Sequence, residues 1–142
     1  MESSSVHQLS IPLPRSLDTR IHIHLTVKDK AVTLFLTSTT QDEPASTAAL
    51  GSFVYALPNR MDPAQPLSTA IYSVESTLEF TTRMAKLLAK RASMPVYVGC
   101  SVNLGGSAMG LSVEEEMEAF RAVVDVVTTR LKGSRAAVNG AS

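Results

Sequence analysis

The stretch Arg20 to Val27, RIHIHLTV, alternates without a break: Ile21, Ile23, Leu25 and Val27 occupy one set of positions and His22, His24 and Thr26 the other. Successive side chains on a pleated strand point to opposite faces, so strict alternation predicts a half-buried strand and excludes a helix for this segment. The run AVTLFLTS from Ala31 repeats the pattern, with Val32, Leu34 and Leu36 sharing a face. Only Lys28, Asp29 and Lys30 lie between the two runs, which makes a hairpin the expected connection.

Further strands are expected in VHQLSIPL, in ALGSFVYAL from Ala49 to Leu57, in PLSTAIYS and in the β-branched run PVYVGCSV. TTQDEPAST reads as a polar loop, and Pro58, Pro63 and Pro66 interrupt regular pairing between two of the strands. NLGGSAMGL reads as a Gly-rich turn leading into a short further strand.

Two segments change to helical spacing. Ser76 and Glu79 have the S-x-x-E spacing of a capping box, and Phe80, Met84, Leu87 and Leu88 follow at the steps of one helical face before Pro95 ends the run. Ser112 and Glu115 repeat the box, followed by a stripe of Met117, Phe120, Val124, Val127 and Leu131, with Arg130 and Lys132 expected at the C-terminal end of the helix. The early strands are joined by links too short for parallel crossovers. The fold class expected is therefore α+β: an antiparallel sheet or sandwich of about six strands, with two α-helices packed on one face. Residues 1–5 and 133–142 read as disordered ends around a single domain at 6–132.

Composition narrows the function. Thirteen basic and thirteen acidic residues leave a formal net charge of zero, which supplies no overall field toward nucleic acid or an anionic membrane. Hydrophobic residues at 44% and charged residues at 18% are those of a globular chain. The start MESSSVHQ lacks the features of a signal peptide, and no apolar run approaches the ~18 residues a spanning helix requires. One cysteine, Cys100, permits no intrachain disulfide, so a cytoplasmic setting is expected, with the nucleus also open. Lying among Val96, Val98 and Val102, that cysteine reads as a small buried hydrophobe rather than a nucleophile.

No catalytic pattern emerges. His22 and His24 could offer two imidazoles to a metal, but H-E-x-x-H is absent and no third ligand stands at a motif spacing, so the outer face of a strand is the better reading. Gly105 to Gly110 lacks the lysine of a phosphate-binding loop and the G-x-G-x-x-G spacing of a dinucleotide site. No G-x-S-x-G elbow occurs. Arg83, Lys86 and Lys90 make a basic stripe on the first helix, either a solvated face or a docking surface for an acidic partner.

Taken together, RIHIHLTVKDKAVTLFLTS, RMAKLLAKRASMPVYVGCSVNL and VEEEMEAF, in that order over roughly residues 6 to 121, resemble the proteasome assembly chaperone 4 family. The resemblance implies a non-enzymatic α+β protein that needs no cofactor and pairs with proteasome assembly chaperone 3. The heterodimer would help build the α-ring of the 20S proteasome by binding α-type subunits, notably the fifth. His22, His24, Arg83, Lys86 and Lys90 are then the candidate partner-binding residues. A second reading, from another class, is a small-ligand or nucleotide-binding α+β domain that uses the Asn103 to Gly110 loop.

Overall fold

The alternating runs become strands in the computed structural model, which describes residues 5–13, 16–40, 51–102 and 113–140. Six strands and two helices follow in chain order: β1 (Ser5–Leu13), β2 (Ser16–Val27), β3 (Val32–Thr40), β4 (Ser52–Leu57), β5 (Leu67–Tyr72), α1 (Glu75–Ala92), β6 (Val96–Cys100) and α2 (Val113–Gly140). The polar loop at 41–50, the Gly-rich turn with the strand expected after it, and Ser112 of the second capping box lie outside the described residues.

All six strands form one sheet in the order β1-β2-β3-β6-β4-β5. The β2–β3 hairpin forms as its pattern predicts, closed by Lys28 N–H donating to the Ala31 carbonyl at 2.9 Å. The sheet is mostly antiparallel, with one parallel pair: β6 enters between β3 and β4, running with β3 and against β4. That insertion requires the crossover through α1, which a parallel neighbour always needs.

Both helices cover one sheet face, α1 over β4, β5 and β6 and α2 over β1 and β2. Between the layers lies the core: Ile21, Ile23, Leu25, Leu34, Leu36, Val54, Val96 and Val98 from the sheet, and Met84, Leu88, Val123 and Val127 from the helices. Each such side chain contributes roughly 1.5–3 kcal/mol by leaving water. Ala85, Ala89 and Ala92 on α1 are also buried, and their small size sets a close approach of helix to sheet.

Four local expectations change. First, α1 begins at Glu75 with Val74 as its N-cap, two residues before the expected box takes effect, and no side chain of the cap residue closes it. The cap arrives from β4 instead: Ser52 Oγ accepts from Val74 N–H at 2.9 Å and lies 3.0 Å from the Val74 carbonyl, and 2.7 Å from Thr77 Oγ1. Second, Met117 is 44% exposed, while Ala119 and Val123 are fully buried, so the apolar stripe of α2 is rotated from the one its larger side chains outline. Third, α2 continues to Gly140, past residue 132, so Arg130 and Lys132 stand about two turns before its end and its last turn carries no basic residue. Fourth, β1 starts at Ser5.

Candidate partner-binding face

The positions that alternate with the core belong to the other face of the sheet, which neither helix covers. Register defines it: Gln8 lies opposite His24 and Ser10 opposite His22 across β1 and β2, and His22 opposite Thr37 and His24 opposite Phe35 across β2 and β3. Phe35 and Phe53 both pair with Gly99 of β6, and Tyr55 pairs with Tyr97.

Gly99 is the reason the aromatic side chains meet. Without a side chain on the strand between them, the Phe35 and Phe53 rings close over β6 to a centroid distance of 6.0 Å, 18° from parallel. The row continues from Phe53 to Tyr97 at 6.0 Å and from Tyr97 to Tyr55 at 4.5 Å, and begins with His24 at 6.5 Å from Phe35. Four of the chain's seven aromatic residues thus form a ladder across three central strands, each ring only partly buried. Aromatic contacts of this kind carry about 0.5–1.5 kcal/mol beyond the area they bury.

On the β1–β3 side of the ladder lies a shallow depression lined by Gln8, Ser10, His22, His24, Phe35 and Thr37, among others. Gln8 Nε2 is 3.4 Å from His24 Nδ1, and Arg20 Nη2 donates to Ser10 Oγ at 3.0 Å. On the other side Leu67 and Ile71 of β5 are more than half exposed. Among the strand residues whose side chains are described, Arg20 is the only charged one, and it faces this way. A continuous surface rich in aromatic groups and poor in charge has the composition of an interface core rather than of ordinary protein surface.

The sequence candidates separate into two groups. His22 and His24 are half-buried on this face. Arg83, Lys86 and Lys90 are exposed on the outer side of the helix layer, with the sheet between the two groups. Arg83 meets Glu79 one turn earlier at 4.0 Å, a solvent-exposed pair of little energetic weight. The ladder residues Phe35, Phe53, Tyr55 and Tyr97 were not among the candidates. Phe35 and Tyr97 carry a signal in the sequence, since each stands out of phase with an apolar run, whereas SFVYAL marks no face for Phe53 and Tyr55, and only the order of the strands brings the four together.

Other chemistry has little support among the described residues. No three His, Cys, Asp or Glu side chains converge as a metal site, and no helix is long and apolar enough to cross a membrane. Cys100 is fully buried, and desolvation pushes its thiol from 9.0 up to about 11, against the opposing effect of hydrogen bonding to the Val102 backbone and the Thr81 side chain. A thiol so placed is chemically quiet at neutral pH, as the apolar pattern around it predicts. The Asn103 to Gly110 loop of the ligand-binding reading lies outside the described residues.

Comparison with known proteins now assigns the family. The profile of proteasome assembly chaperone 4 matches residues 20–102, which include the H-x-H strand, the hairpin, α1 and β6. The chain belongs to the proteasome assembly chaperone 4 family. The acidic start of α2, also part of the resemblance, falls beyond the matched residues. A solved structure described as the crystal structure of a novel chaperone complex for yeast 20S proteasome assembly is similar over 90% of this chain and 98% of that one, with a TM-score of 0.66 at 14% identity. At that identity the likeness is one of fold. A search of curated proteins finds no match. Members of a proteasome assembly chaperone family are chaperones, which is not a class of enzyme.

Proposed function

We propose that this chain is one half of a heterodimeric chaperone, with proteasome assembly chaperone 3 as the other half, and that the pair helps order α-type subunits, notably the fifth, while the 20S α-ring is built in the cytoplasm or nucleus. The observation that carries the reading is the sheet face that neither helix covers, with its aromatic ladder and little charge among the described side chains, in a chain of this family. A single sheet covered by helices on one side leaves a layer that a second sheet can complete, at the ~10 Å spacing of packed sheets. The family assignment supports a related α+β chain as the occupant, and the fold likeness to a chain from a yeast chaperone complex is consistent with it.

His22 and His24 stand at one end of this contact and the ladder at its centre, where a few desolvated aromatic anchors dominate binding. The test is co-expression with the proteasome assembly chaperone 3 of the same organism, followed by sedimentation. Phe53→Lys and Tyr97→Lys should each weaken the heterodimer by ~2 kcal/mol or more, or about thirtyfold, with the fold retained because both side chains lie outside the core. A heterodimer unchanged by either substitution would move the contact elsewhere.

A further inference from the structure

Zero net charge conceals a polarised molecule. The helices run in the same direction, as two contacts show: Phe80 meets Phe120 edge to face at 5.3 Å near their starts, and Arg91 Nη1 donates to Thr128 Oγ1 at 3.4 Å further along. Their acidic first turns, with Glu75 on α1 and Glu114, Glu115 and Glu116 on α2, therefore lie at one end of the molecule.

The opposite end is basic. Lys90 and Arg91 stand in the last turn of α1, and Arg130 and Lys132 follow Thr128 on α2. The β2–β3 turn is brought to the same end, because Val32 N–H donates to the Pro95 carbonyl at 3.0 Å directly after α1, and this adds Lys28 and Lys30. All six are exposed. The acids of the adjoining turns are Asp29 and Asp62, with Arg60 beside the latter at the end of β4.

Helix electrostatics accounts for only part of this. Basic residues in a last turn stabilise a helix macrodipole, which explains Lys90 and Arg91. It does not explain lysines in a hairpin turn, nor Arg130 and Lys132 well before the end of α2. Four cations without that explanation converge on two with it. The 18 residues of α1 separate the poles by about 27 Å, roughly three Debye lengths at physiological salt, so neither pole cancels the other.

We propose that this basic pole docks an acidic patch on a second folded protein, leaving the aromatic sheet face to the sister chaperone. The inference rests on the chaperone reading above and gives its second contact a chemistry. A compact acidic surface fits better than a nucleic acid, because an extended polyanion lying along the helix layer would meet the glutamates of the other pole. Docking of this kind chiefly accelerates association and falls with ionic strength.

The test measures binding of purified α-type subunits to the heterodimer carrying the full chain, at low and physiological salt. Reversal at Lys28→Glu, Lys30→Glu, Lys90→Glu and Lys132→Glu together should reduce binding at least tenfold and abolish its salt dependence, with the heterodimer intact. All four side chains are solvent-exposed, and circular dichroism reports whether the variant is folded; Lys28→Gln and Lys30→Gln alone, as a milder variant, should give a smaller loss in the same direction. Undiminished binding by the reversed variant overturns this inference alone. Loss of the heterodimer itself would assign the pole to the sister chain and also overturn it. Retention of a single-stranded RNA oligonucleotide that the reversal removes would assign it to nucleic acid instead. A wild-type complex that binds no α-type subunit overturns both this inference and the proposed function.

Discussion

Gly51 is the residue whose identity the backbone dictates most directly. It enters β4 at φ +69°, in the left-handed region, and a Cβ placed there would lie 2.1 Å from the carbonyl oxygen of Cys100, a backbone atom with no freedom to swing away. Gly51→Ala should therefore cost more than the ~1–2 kcal/mol of left-handed conformation alone, and a lowered midpoint in urea denaturation would record it. An unchanged midpoint would mean that β4 and β6 can separate at this point without loss. Cys100, its neighbour, gives a second prediction. Burial raises its folded pKa to about 11, so the native state holds the thiol proton more tightly than the unfolded chain does. This stability is fully present below the ordinary value of 9.0 and is lost as pH rises to about 11, up to roughly 3 kcal/mol for two pKa units. Stability of wild type relative to Cys100→Ala, followed by urea unfolding across that window, should fall as pH rises, whereas a constant difference would refute the burial argument.

Among the elements, α1 shows how local and non-local signals divide. Its apolar spacing is legible because Phe80, Met84 and Leu88 meet the core whatever precedes them. Its start is not, because the group that holds Val74 is Ser52, 22 residues earlier and on another element. The same division runs through the sheet. Alternation in β2 and β3 reveals which residues are buried, but the insertion of β6 between β3 and β4 follows from a crossover that no local pattern records. The aromatic ladder depends wholly on that insertion, which is why His22 and His24, adjacent on one strand, were evident as candidates and Phe35, Phe53, Tyr55 and Tyr97 were not. Ser52→Ala isolates the non-local part. It removes the oxygen that bonds Val74 and Thr77, leaves the part-buried Val74 N–H without its acceptor, and should cost about 1–3 kcal/mol. Hydrogen exchange should locate the loss in the first turn of α1, with the β2–β3 hairpin protected as before; uniform loss of protection would mean that this clip holds the whole domain rather than one helix end.

At the scale of the whole molecule, the two proposed contacts differ in physics as well as in place. The sheet face is aromatic and almost uncharged, so association through it is driven by removing apolar area from water and has little Coulombic component to screen. The basic pole presents six exposed cations, and its attraction decays over a Debye length of ~8 Å at physiological salt. One ionic-strength series therefore separates them: between about 0.05 M and about 0.5 M salt, sister-chain binding should hold or strengthen, whereas α-type subunit binding should weaken severalfold. The isolated chain offers a third readout, since an uncovered face of this composition tends to find a substitute partner. Sedimentation of the chain alone should show reversible, concentration-dependent self-association that resists salt, that Phe53→Lys reduces, and that stoichiometric sister chain displaces. Self-association that salt dissolves and Phe53→Lys leaves unaltered would point instead to the basic pole of one copy meeting the acidic pole of the next. Made head to tail, that contact is heterologous, so it would build rings or open chains of subunits rather than a two-fold dimer, and the distribution of masses would distinguish the two geometries directly.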